Sequence, residues 1–495
     1  MKKNTSILRT AFVLLLAAMS MLPARSQSQS YTWMTDINGD GTVNVADVTA
    51  LIQIVLNGQS GVTINPNQSY LSARQFGAVG DGVTDDTEAL ERLFEAAFEC
   101  KKAVFFDPGV YLIRRSLTLR TGMEVYGEDA TITKKSAVTT TLSKAATQHQ
   151  TSIEVASVEG FNVGDQFFIC DDAGANYCTY GIITAIEDNR ISFYNIFSDC
   201  QPDFPGCIRG YSRGSKVSTS FALLRSWSTR YECDGVYVHD LTLDGNRQSN
   251  EPRSWANSCL HIDSYYPGGY TGSLGVRYMN VQRNLIARNL TIKNSPHDAI
   301  SDQGEGGLIM TECVVENCAM HGAHLGTVYA NALISNNAMQ GNTVEGSGVF
   351  FCQDVSNVIV DNNWISYFNH GCSDFEFGTC GKYITIRNNT FKAITYSVFD
   401  FEKATAAKRG GGLMITNNKI ENLKWMIFNG DNLNDVIISN NEVTSVNKAP
   451  SSYITVTESD AVVIVGNTIS TGASVANPVD VTNSTNVVEN ANSWN

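Results

Sequence analysis

The chain has 495 residues, of which 43% are hydrophobic, and it carries a formal net charge of −14. That charge argues against nucleic acids and anionic membrane surfaces as partners, because both are themselves negatively charged. Glycine (40 residues) far outnumbers proline (10), as turn-rich β structure requires, and a chain of this length can bury a large core.

The first residues have the features of an export signal. Lys2, Lys3 and Arg9 precede the apolar run 11–18, and residues 24–26 resemble a signal-peptidase cleavage site. No later stretch of the sequence is long and apolar enough for a membrane-spanning helix. We therefore predict a signal peptide over residues 1–26 and an exported protein that is secreted, periplasmic or associated with the cell surface.

A loop with the spacing of a calcium site follows, within residues 27–58. Oxygen-bearing side chains stand at loop positions 1, 3, 5, 9 and 12, a glycine allows the sharp turn at position 6, and position 7 offers its backbone carbonyl. The polar stretch 59–69 is predicted to be a linker. The predicted calcium ligands are Asp36, Asn38, Asp40, Thr42, Asn44 and Asp47.

This loop resembles one calcium-binding repeat of a dockerin, with Asp47 in the last ligand position, where an EF-hand would have glutamate. The resemblance implies calcium as a cofactor and a cohesin-like protein as a partner. Dockerins usually carry two such repeats, whereas one is found here. An accessory module and a structural staple are therefore the alternatives to cohesin binding.

Residues 70–495 are predicted to form one long β module. A glycine- and aspartate-rich segment precedes a helical pattern at 88–98, which Asp86 or Thr87 can cap. Such a helix would cover the apolar end of a stack of coils. A different pattern of short β-type runs, at about 132–220, predicts a small β insertion in the module.

From Asn337 onward the chain repeats an apolar alternation that ends in an asparagine pair. The steps between repeats are 26, 26, 29, 23 and 26 residues, too long for a heptad and too irregular for an array of helix pairs. Short β-type runs separated by turn residues make each repeat one coil of a solenoid, with the asparagines in hydrogen-bonded ladders. The repeats are marked by Asn337, Asn363, Asn389, Asn418, Asn441 and Asn467.

The opening motif FGAVGDGVTDDTEAL at 76–90 and the Pro-Gly turn that follows it resemble the pectate-lyase-like superfamily over about residues 70–470. The resemblance implies an all-β fold, a right-handed parallel β-helix with an N-terminal capping helix and a small β insertion. The superfamily includes glycosidases, polysaccharide lyases, uronate epimerases and phage tailspikes. It therefore implies a polysaccharide partner without choosing the reaction.

Acidic residues accumulate in the segments that precede the asparagine repeats. Alignment of these segments stacks Asp374 on Asp400 and Glu376 on Glu402, with alternate phenylalanines pointing into the core. Carboxylates crowded on one outer face raise at least one pKa, as a general acid requires. We predict these four residues as the catalytic acids and bases; a second calcium site and a plain polar ladder are the alternatives.

Histidines line the start of the same segments. His297, His321 and His370 share one column of the alignment, and with His324 they are predicted to contact substrate. Lys403 follows the acidic group and would be the base of a lyase. Four aromatic residues are candidates either for sugar stacking or for the core, namely Trp364, Tyr367, Tyr396 and Trp425.

The leading hypothesis is an exported glycoside hydrolase that cleaves a polysaccharide by carboxylate acid and base catalysis. A calcium-dependent polysaccharide lyase or a uronate epimerase is the first alternative. Epimerases of the superfamily carry Asp-Pro-His-Glu and a later His-Gly, which residues 295–298 and 321–322 match in part. A non-catalytic glycan-binding solenoid is the second alternative.

Overall fold

The computed structural model describes residues 67–171, 178–196, 206–207, 209–227, 231–250, 257–262, 281–326, 330–341, 345–352, 355–374, 381–402, 409–447, 451–469, 475 and 477–494. The chain divides into two compact units, Met1–Gly61 and Val62–Asn495. The predicted signal peptide and calcium loop lie outside the described residues. The second unit contains all the elements that follow.

Short parallel strands of the second unit stack into three long sheets, which the chain visits in the order A, B, C on each coil. Sheet A has 13 strands, Tyr70–Ser72, Ala103–Phe106, Glu124–Gly127, Cys233–His239, Gln282–Arg288, Ile309–Thr311, Ala330–Ser335, Ser356–Asp361, Lys382–Arg387, Gly410–Thr416, Leu433–Ser439, Asp460–Val465 and Thr485–Asn490.

Sheet B also has 13 strands, Asp81–Asp85, Gly109–Ile113, Ala130–Lys134, Thr242–Asp244, Thr291–Lys293, Val314–Cys318, Ala338–Gly341, Trp364–Ser366, Thr390–Lys392, Lys419–Glu421, Glu442–Val443, Thr468–Ile469 and Ser493–Trp494. Sheet C has 11 strands, Leu117–Thr118, Leu224–Arg225, Leu260–Ile262, Ile300–Asp302, Ala323–Leu325, Ser347–Phe351, His370–Ser373, Ser397–Phe401, Met426–Asp431, Ile454–Thr457 and Val479–Thr482. The side chains that point inward from the three sheets form one continuous hydrophobic core.

A single α-helix among the described residues, Thr87–Cys100, packs at the N-terminal end of this core. Leu90, Leu93 and Phe94 are buried at helical spacing and join the core of the coils. Asp86 stands at the N-cap, but its carboxylate accepts hydrogen bonds from the amides of Val79 and Gly80 instead of capping the helix. Two short 3-10 helices cover Arg74–Phe76 and Arg247–Ser249.

An antiparallel sheet, sheet D, is inserted between the third strand of sheet B and the second strand of sheet C. It has a hydrophobic core of its own, separate from that of the coils. Its six strands, in spatial order, are Thr139–Thr141, Lys216–Ser218, Gln166–Cys170, Thr179–Glu187, Arg190–Asn195 and Ser152–Glu154. The predicted fold class, an all-β parallel β-helix with a capping helix and a small β insertion, is thus confirmed.

The repeated asparagines form a ladder inside the turns between sheets A and B. Each side-chain Nδ2 donates to the Oδ1 of the asparagine on the next coil at 2.9 to 3.0 Å, and the backbone N–H donates to the same oxygen. The ladder runs from Asn337 to Asn492. The first asparagine of each pair takes a left-handed conformation, for example φ 57° at Asn388, which turns the chain into sheet B.

Within the described part of the chain, no helix has both the length and the apolar character needed to cross a membrane.

Candidate functional site

A polar surface lies on the outer face of sheet C. Strand pairing from coil to coil places six residues there in one column, here called the outer column: Ser301, His324, Phe350, Ser373, Asp400 and Asn429. Their strand neighbours, such as Leu325 and Phe399, lie in the core, so this outer column points away from it. Even so, Ser301, Ser373 and Asp400 are fully buried and His324 is 8% exposed. The outer column is therefore covered, unlike an ordinary solvated face.

A second set of polar side chains, the leading column, stands where the chain enters sheet C. The N–H of His321 donates to Asp298, and the N–H of Ser347 donates to His321. Ser347 pairs with His370, whose ring in turn contacts Ser397 on the next coil. The leading column therefore links five coils of the solenoid through hydrogen bonds and strand pairing.

Asp298 is the centre of a buried cluster at one end of the leading column. Its Oδ2 accepts a hydrogen bond from His324 Nδ1 at 2.9 Å, and its Oδ1 accepts one from the backbone N–H of His321 at 3.1 Å. His297 Nδ1 lies 3.0 Å from the same Oδ1. The carboxylate is fully buried, and only paired charges are stable in such a position.

The charges in this cluster follow from its contacts. Burial acts to raise the pKa of Asp298, but the attraction of His297 and His324 outweighs it and holds the pKa well below its usual range. Burial likewise acts to lower the pKa of His324, yet the Asp298 carboxylate raises it to about 10. At neutral pH the pair is thus a carboxylate and an imidazolium.

His321 has the opposite character, although it lies beside the same carboxylate. Burial lowers the pKa of His321 to about 3, against the attraction of Asp298. Its Nδ1 accepts the hydrogen bond of the Ser347 N–H at 3.0 Å, so that nitrogen carries no proton. The ring stacks on Phe350 with 4.3 Å between centroids. His321 is therefore a neutral imidazole between charged neighbours.

A second histidine–aspartate pair lies on the following coils. His370 Nδ1 is 3.1 Å from Asp400 Oδ2 and 3.0 Å from Ser397 Oγ, and the Ser397 hydroxyl donates to the same carboxylate oxygen at 2.7 Å. Asn369 Nδ2 lies 3.0 Å from His370 Nε2. The carboxylate therefore favours the tautomer with the proton on Nδ1, so that the lone pair on Nε2 accepts the hydrogen bond of the Asn369 amide.

Glu402 lies at the rim of the same face and is partly exposed. Its Oε2 accepts a hydrogen bond from Asn429 Nδ2 at 2.8 Å, and Asp400 Oδ1 lies 3.3 Å from the same nitrogen. The two carboxylates predicted at these positions are thus brought together. They share one amide, and Asp400 is the inner member.

The expected stacking of Asp374 on Asp400 is not observed. Ser373 pairs with Asp400, so Asp374 lies one position further along. Asp374 is 1% exposed, and its Oδ2 accepts a hydrogen bond from the N–H of Gly381, which follows the loop after its strand. The alignment was wrong because it matched two identical Asp-Phe-Glu segments, residues 374–376 and 400–402. In the structure the side chain that pairs with the inward Phe399 is Cys372, so the true register differs by one residue. Glu376 and Lys403 lie outside the described residues.

The four predicted histidines do lie on this face, but their partner Asp298 was not among the predicted site residues. The alignment was again wrong by one residue. It stacked His297 on His321, whereas the observed pairing of Ser301 with His324 shifts that segment by one position. The signal was present in the sequence as Ser-Pro-His-Asp followed by His-Gly-Ala-His one coil later. Ser397, which bridges His370 and Asp400, had no such signal.

Asp298, His321 and His324 each offer one ligand atom, and these atoms lie within 4.8 Å of one another. Calcium takes about six to eight oxygen ligands. This group offers one carboxylate and two ring nitrogens, and hydrogen bonds already use both carboxylate oxygens. The group does not fit calcium, and a second calcium site elsewhere on the β-helix stays a prediction.

Two family models match parts of the chain. Residues 70–172 match the model described as rhamnogalacturonase A/epimerase, pectate lyase-like, and residues 274–424 match the model of the right handed beta helix region. A stretch of 60 residues, 12% of this chain and 8% of the relative, is 42% identical to a glucan 1,3-beta-glucosidase of Cochliobolus carbonum. Another of 58 residues, 12% of this chain and 5% of the relative, is 38% identical to the non-secreted LysM effector LysM19 of Penicillium expansum. The chain thus spans less than a tenth of these curated relatives.

Two solved structures of low sequence identity align with most of this chain. A family 28 exopolygalacturonase of Yersinia enterocolitica is 13% identical with a TM-score of 0.49, over 85% of this chain and 78% of that one. The A-module of the mannuronan C-5 epimerase AlgE6 of Azotobacter vinelandii is 14% identical with a TM-score of 0.45, over 85% and 99%. At such values a likeness says nothing about the reaction. The chain is a right-handed parallel β-helix, and its residues 70–172 and 274–424 match pectate-lyase-like and right-handed β-helix families.

Proposed function

We propose that this protein is an exported enzyme that acts on a uronate-containing polysaccharide by moving a proton at carbon 5 of the sugar. Polysaccharide lyases and uronate epimerases both begin with that step. The observation that carries the proposal is the buried Asp298 with its three histidines, one charged and one neutral, on the outer face of sheet C. The family description that matches residues 70–172 names rhamnogalacturonase A, an epimerase and pectate lyase-like proteins.

Removal of a proton from carbon needs a base and a positive charge near the substrate carboxylate, onto which the developing negative charge spreads. The His324 imidazolium, held in place by Asp298, supplies the positive charge. His370, with Asp400 behind its Nδ1, supplies the lone pair on Nε2 when the substrate takes the place of the Asn369 amide there. These two pairs lie two coils apart, roughly 10 Å by the spacing of strands.

Proton transfer begins at His370 in the proposed mechanism. His370 Nε2 takes the proton from carbon 5, and Asp400 stabilises the imidazolium that forms. In elimination the electron pair forms a double bond to carbon 4 and expels the attached sugar oxygen, which takes up a proton. In epimerisation a proton returns to carbon 5 from the other side. Solvent water supplies that proton in either case, because His321 lies on the same coil as His324, two coils from His370.

Glycoside hydrolysis is the second candidate, because one observation favours it. Asp400 and Glu402 both contact Asn429 Nδ2, so two carboxylates lie close together with the outer one partly exposed. Hydrolysis needs such a pair on either side of the scissile bond.

The test is a panel of uronate and neutral polysaccharides, assayed in parallel for new reducing ends, for unsaturated uronides and for changed uronate stereochemistry. Three variants separate the candidates: His370→Gln, Asp298→Asn and Glu402→Gln. We expect the first two to lower turnover at least about 100-fold and Glu402→Gln to keep most of it. Saturated products that require Glu402 but not His370 would establish hydrolysis. A wild-type protein that binds glycan without any product would be a binding solenoid.

A further inference from the structure

Two cysteines lie opposite each other in the inserted sheet D. The third and fourth strands of this sheet, in its spatial order, are antiparallel, and their register brings Ile169 opposite Thr179. The same register, continued by one residue, places Cys170 directly opposite Cys178. Both are thiols in this structure. The two sulfur atoms therefore belong to neighbouring residues of one antiparallel ladder.

The hydrogen-bond pattern of the ladder shows how close this pair lies. Hydrogen-bonded and non-hydrogen-bonded pairs alternate along antiparallel strands. The N–H of Ile183 donates to the carbonyl of Asp165, so these two residues form a hydrogen-bonded pair. Cys170 and Cys178 are an odd number of positions further along and form a non-hydrogen-bonded pair. The Cα atoms of such a pair are about 4.5 Å apart, within the range of about 4.4–6.8 Å that a disulfide spans.

The side chains of the two cysteines also lie on the same face of sheet D. Both belong to a small buried cluster with Tyr180 and Trp227, whereas the intervening Ile169 belongs to the separate core of the insertion. Cys170 is 4% exposed and Cys178 is 2% exposed. Side chains of a non-hydrogen-bonded pair approach each other closely on their shared face. A bond between the two sulfur atoms therefore requires little movement of the strands.

We propose that Cys170 and Cys178 form a disulfide bond, which closes the loop between these two strands. Two S–H bonds break and one S–S bond forms, while two protons and two electrons pass to a disulfide-carrying oxidant of the export compartment, which is reduced to two thiols. The proposal takes only this oxidising compartment from the proposed function. Because both side chains are buried in the folded protein, the oxidant reaches them while the insertion folds.

The bond secures the contact between sheet D and the β-helix. Tyr180 lies two residues after Cys178 on the same face, and its ring centroid is 5.0 Å from the guanidinium carbon of Arg225. Arg225 belongs to sheet C and pairs with His261, which pairs with Ser301 of the outer column. A disulfide stabilises the folded state mainly by restricting the unfolded chain. It therefore favours the state in which the strand holds its tyrosine against sheet C.

Peptide mapping tests the bond directly. Trypsin cleaves after Lys144 and Arg190 and releases a peptide, residues 145–190, that contains Cys170 and Cys178 and no other cysteine. The full-length protein is exported behind an established signal peptide into the bacterial periplasm, unfolded with an alkylating reagent and then cleaved. We expect this peptide to carry no alkyl group and to be lighter than its reduced form by two hydrogens.

A peptide that carries two alkyl groups overturns the proposal, and so does a bond from either cysteine to a different peptide. If the chain's own leader fails to export it, but the protein exported by the established signal carries the bond, the proposed export fails and the disulfide stands.

Thermal unfolding with and without a reducing agent tests the stabilising role. We expect reduction to lower the midpoint of the wild type by at least about 2 °C more than that of the double variant Cys170→Ala with Cys178→Ala. The matched control is Cys313→Ala, which removes a buried cysteine from the core of the coils. Its midpoint should respond to reduction as the wild type does. Equal shifts in the wild type and the double variant overturn the stabilising role.

Discussion

Asp298 shows what a buried charge requires in this protein. Both of its oxygens are engaged by His324, His297 and the N–H of His321, and no part of the carboxylate is exposed. Removal of one partner from such a pair leaves the other charge buried without compensation, which costs about 3–5 kcal/mol. An exposed pair such as Asp361 with Arg387 is worth about 0–1 kcal/mol.

We therefore expect Asp298→Asn to lower the free energy of unfolding by about 3–5 kcal/mol, and Asp361→Asn to lower it by less than about 1 kcal/mol. The same change should lower the pKa of His324 from about 10 to below its usual value, since burial remains while the attraction of the carboxylate is lost. Urea unfolding and an NMR titration of the histidine ring measure the two effects. A His324 that still titrates near 10 would show that Asp298 does not hold its charge.

His321 makes the stability of the folded protein depend on pH in the acidic range. Because its pKa is lowered to about 3 in the folded state, the unfolded state binds a proton first as pH falls below about 6.5. Stability is therefore lost between these two values. His324 has the opposite sign, since its raised pKa stabilises the fold fully below about 6.5 and that contribution is lost as pH rises toward 10.

His321→Asn tests this dependence, because an asparagine oxygen can still accept the hydrogen bond of the Ser347 N–H. We expect wild-type protein to lose at least about 1 kcal/mol more than this variant between pH 6.5 and pH 4. Urea unfolding at both pH values provides the comparison. Equal losses in the two proteins would place the acid sensitivity elsewhere.

The asparagine ladder joins successive coils by hydrogen bonds between buried side chains. Asn389 is fully buried; its Nδ2 donates to the carbonyls of Val360 and Arg387 and to Asn418, and its Oδ1 accepts from Asn363. Its neighbour Asn388 has a different structural role, because it adopts the left-handed backbone conformation at the exposed turn. The two members of one pair thus have separate roles.

Asn389→Ala should lower the free energy of unfolding by at least about 3 kcal/mol, because several buried groups lose their partners at about 1–3 kcal/mol each. Asn388→Gly should change it by less than about 1 kcal/mol, since glycine readily adopts the same φ. Thermal and urea unfolding of both variants measure the difference. Similar losses in the two variants would mean that the ladder contributes no more than the turn.

The predicted calcium loop is a separate element, outside the described residues. Asp36→Ala together with Asp47→Ala should remove one equivalent of bound calcium, because both carboxylates are needed to complete the oxygen ligands of the loop. Calorimetric titration of the full-length protein measures this. We expect turnover of the polysaccharide to stay unchanged in the variant. Calcium binding that is unaltered by both changes would rule out the loop as the site.

The period of the asparagines predicted the solenoid correctly, because hydrogen bonding between identical side chains on adjacent coils demands a regular spacing. The register within sheet C was harder to predict. Turns that lead into it differ by a residue from coil to coil, so Ser301 meets His324 and Ser373 meets Asp400. Burial of the outer face could not be predicted either, because an alternating pattern shows which side chains point outward but not what covers them.

At the scale of the whole molecule, the solenoid brings distant residues onto one surface. Asp298 and Glu402 are separated by more than a hundred residues, yet they lie along the same face of sheet C because each coil advances by one strand spacing of about 4.8 Å. The histidine–aspartate pairs and the carboxylates follow one another along this face. Such an arrangement suits an extended polymer, which can meet several coils at once.

Proton transfer at carbon 5 of a uronate can be observed directly by incubating the polysaccharide with the protein in deuterium oxide and following the carbon 5 proton by NMR. We predict that its signal disappears, through either deuterium uptake or formation of a double bond, and that it stays in the presence of His370→Gln. New saturated chain ends with the carbon 5 signal intact would show that the protein hydrolyses the polysaccharide without moving that proton.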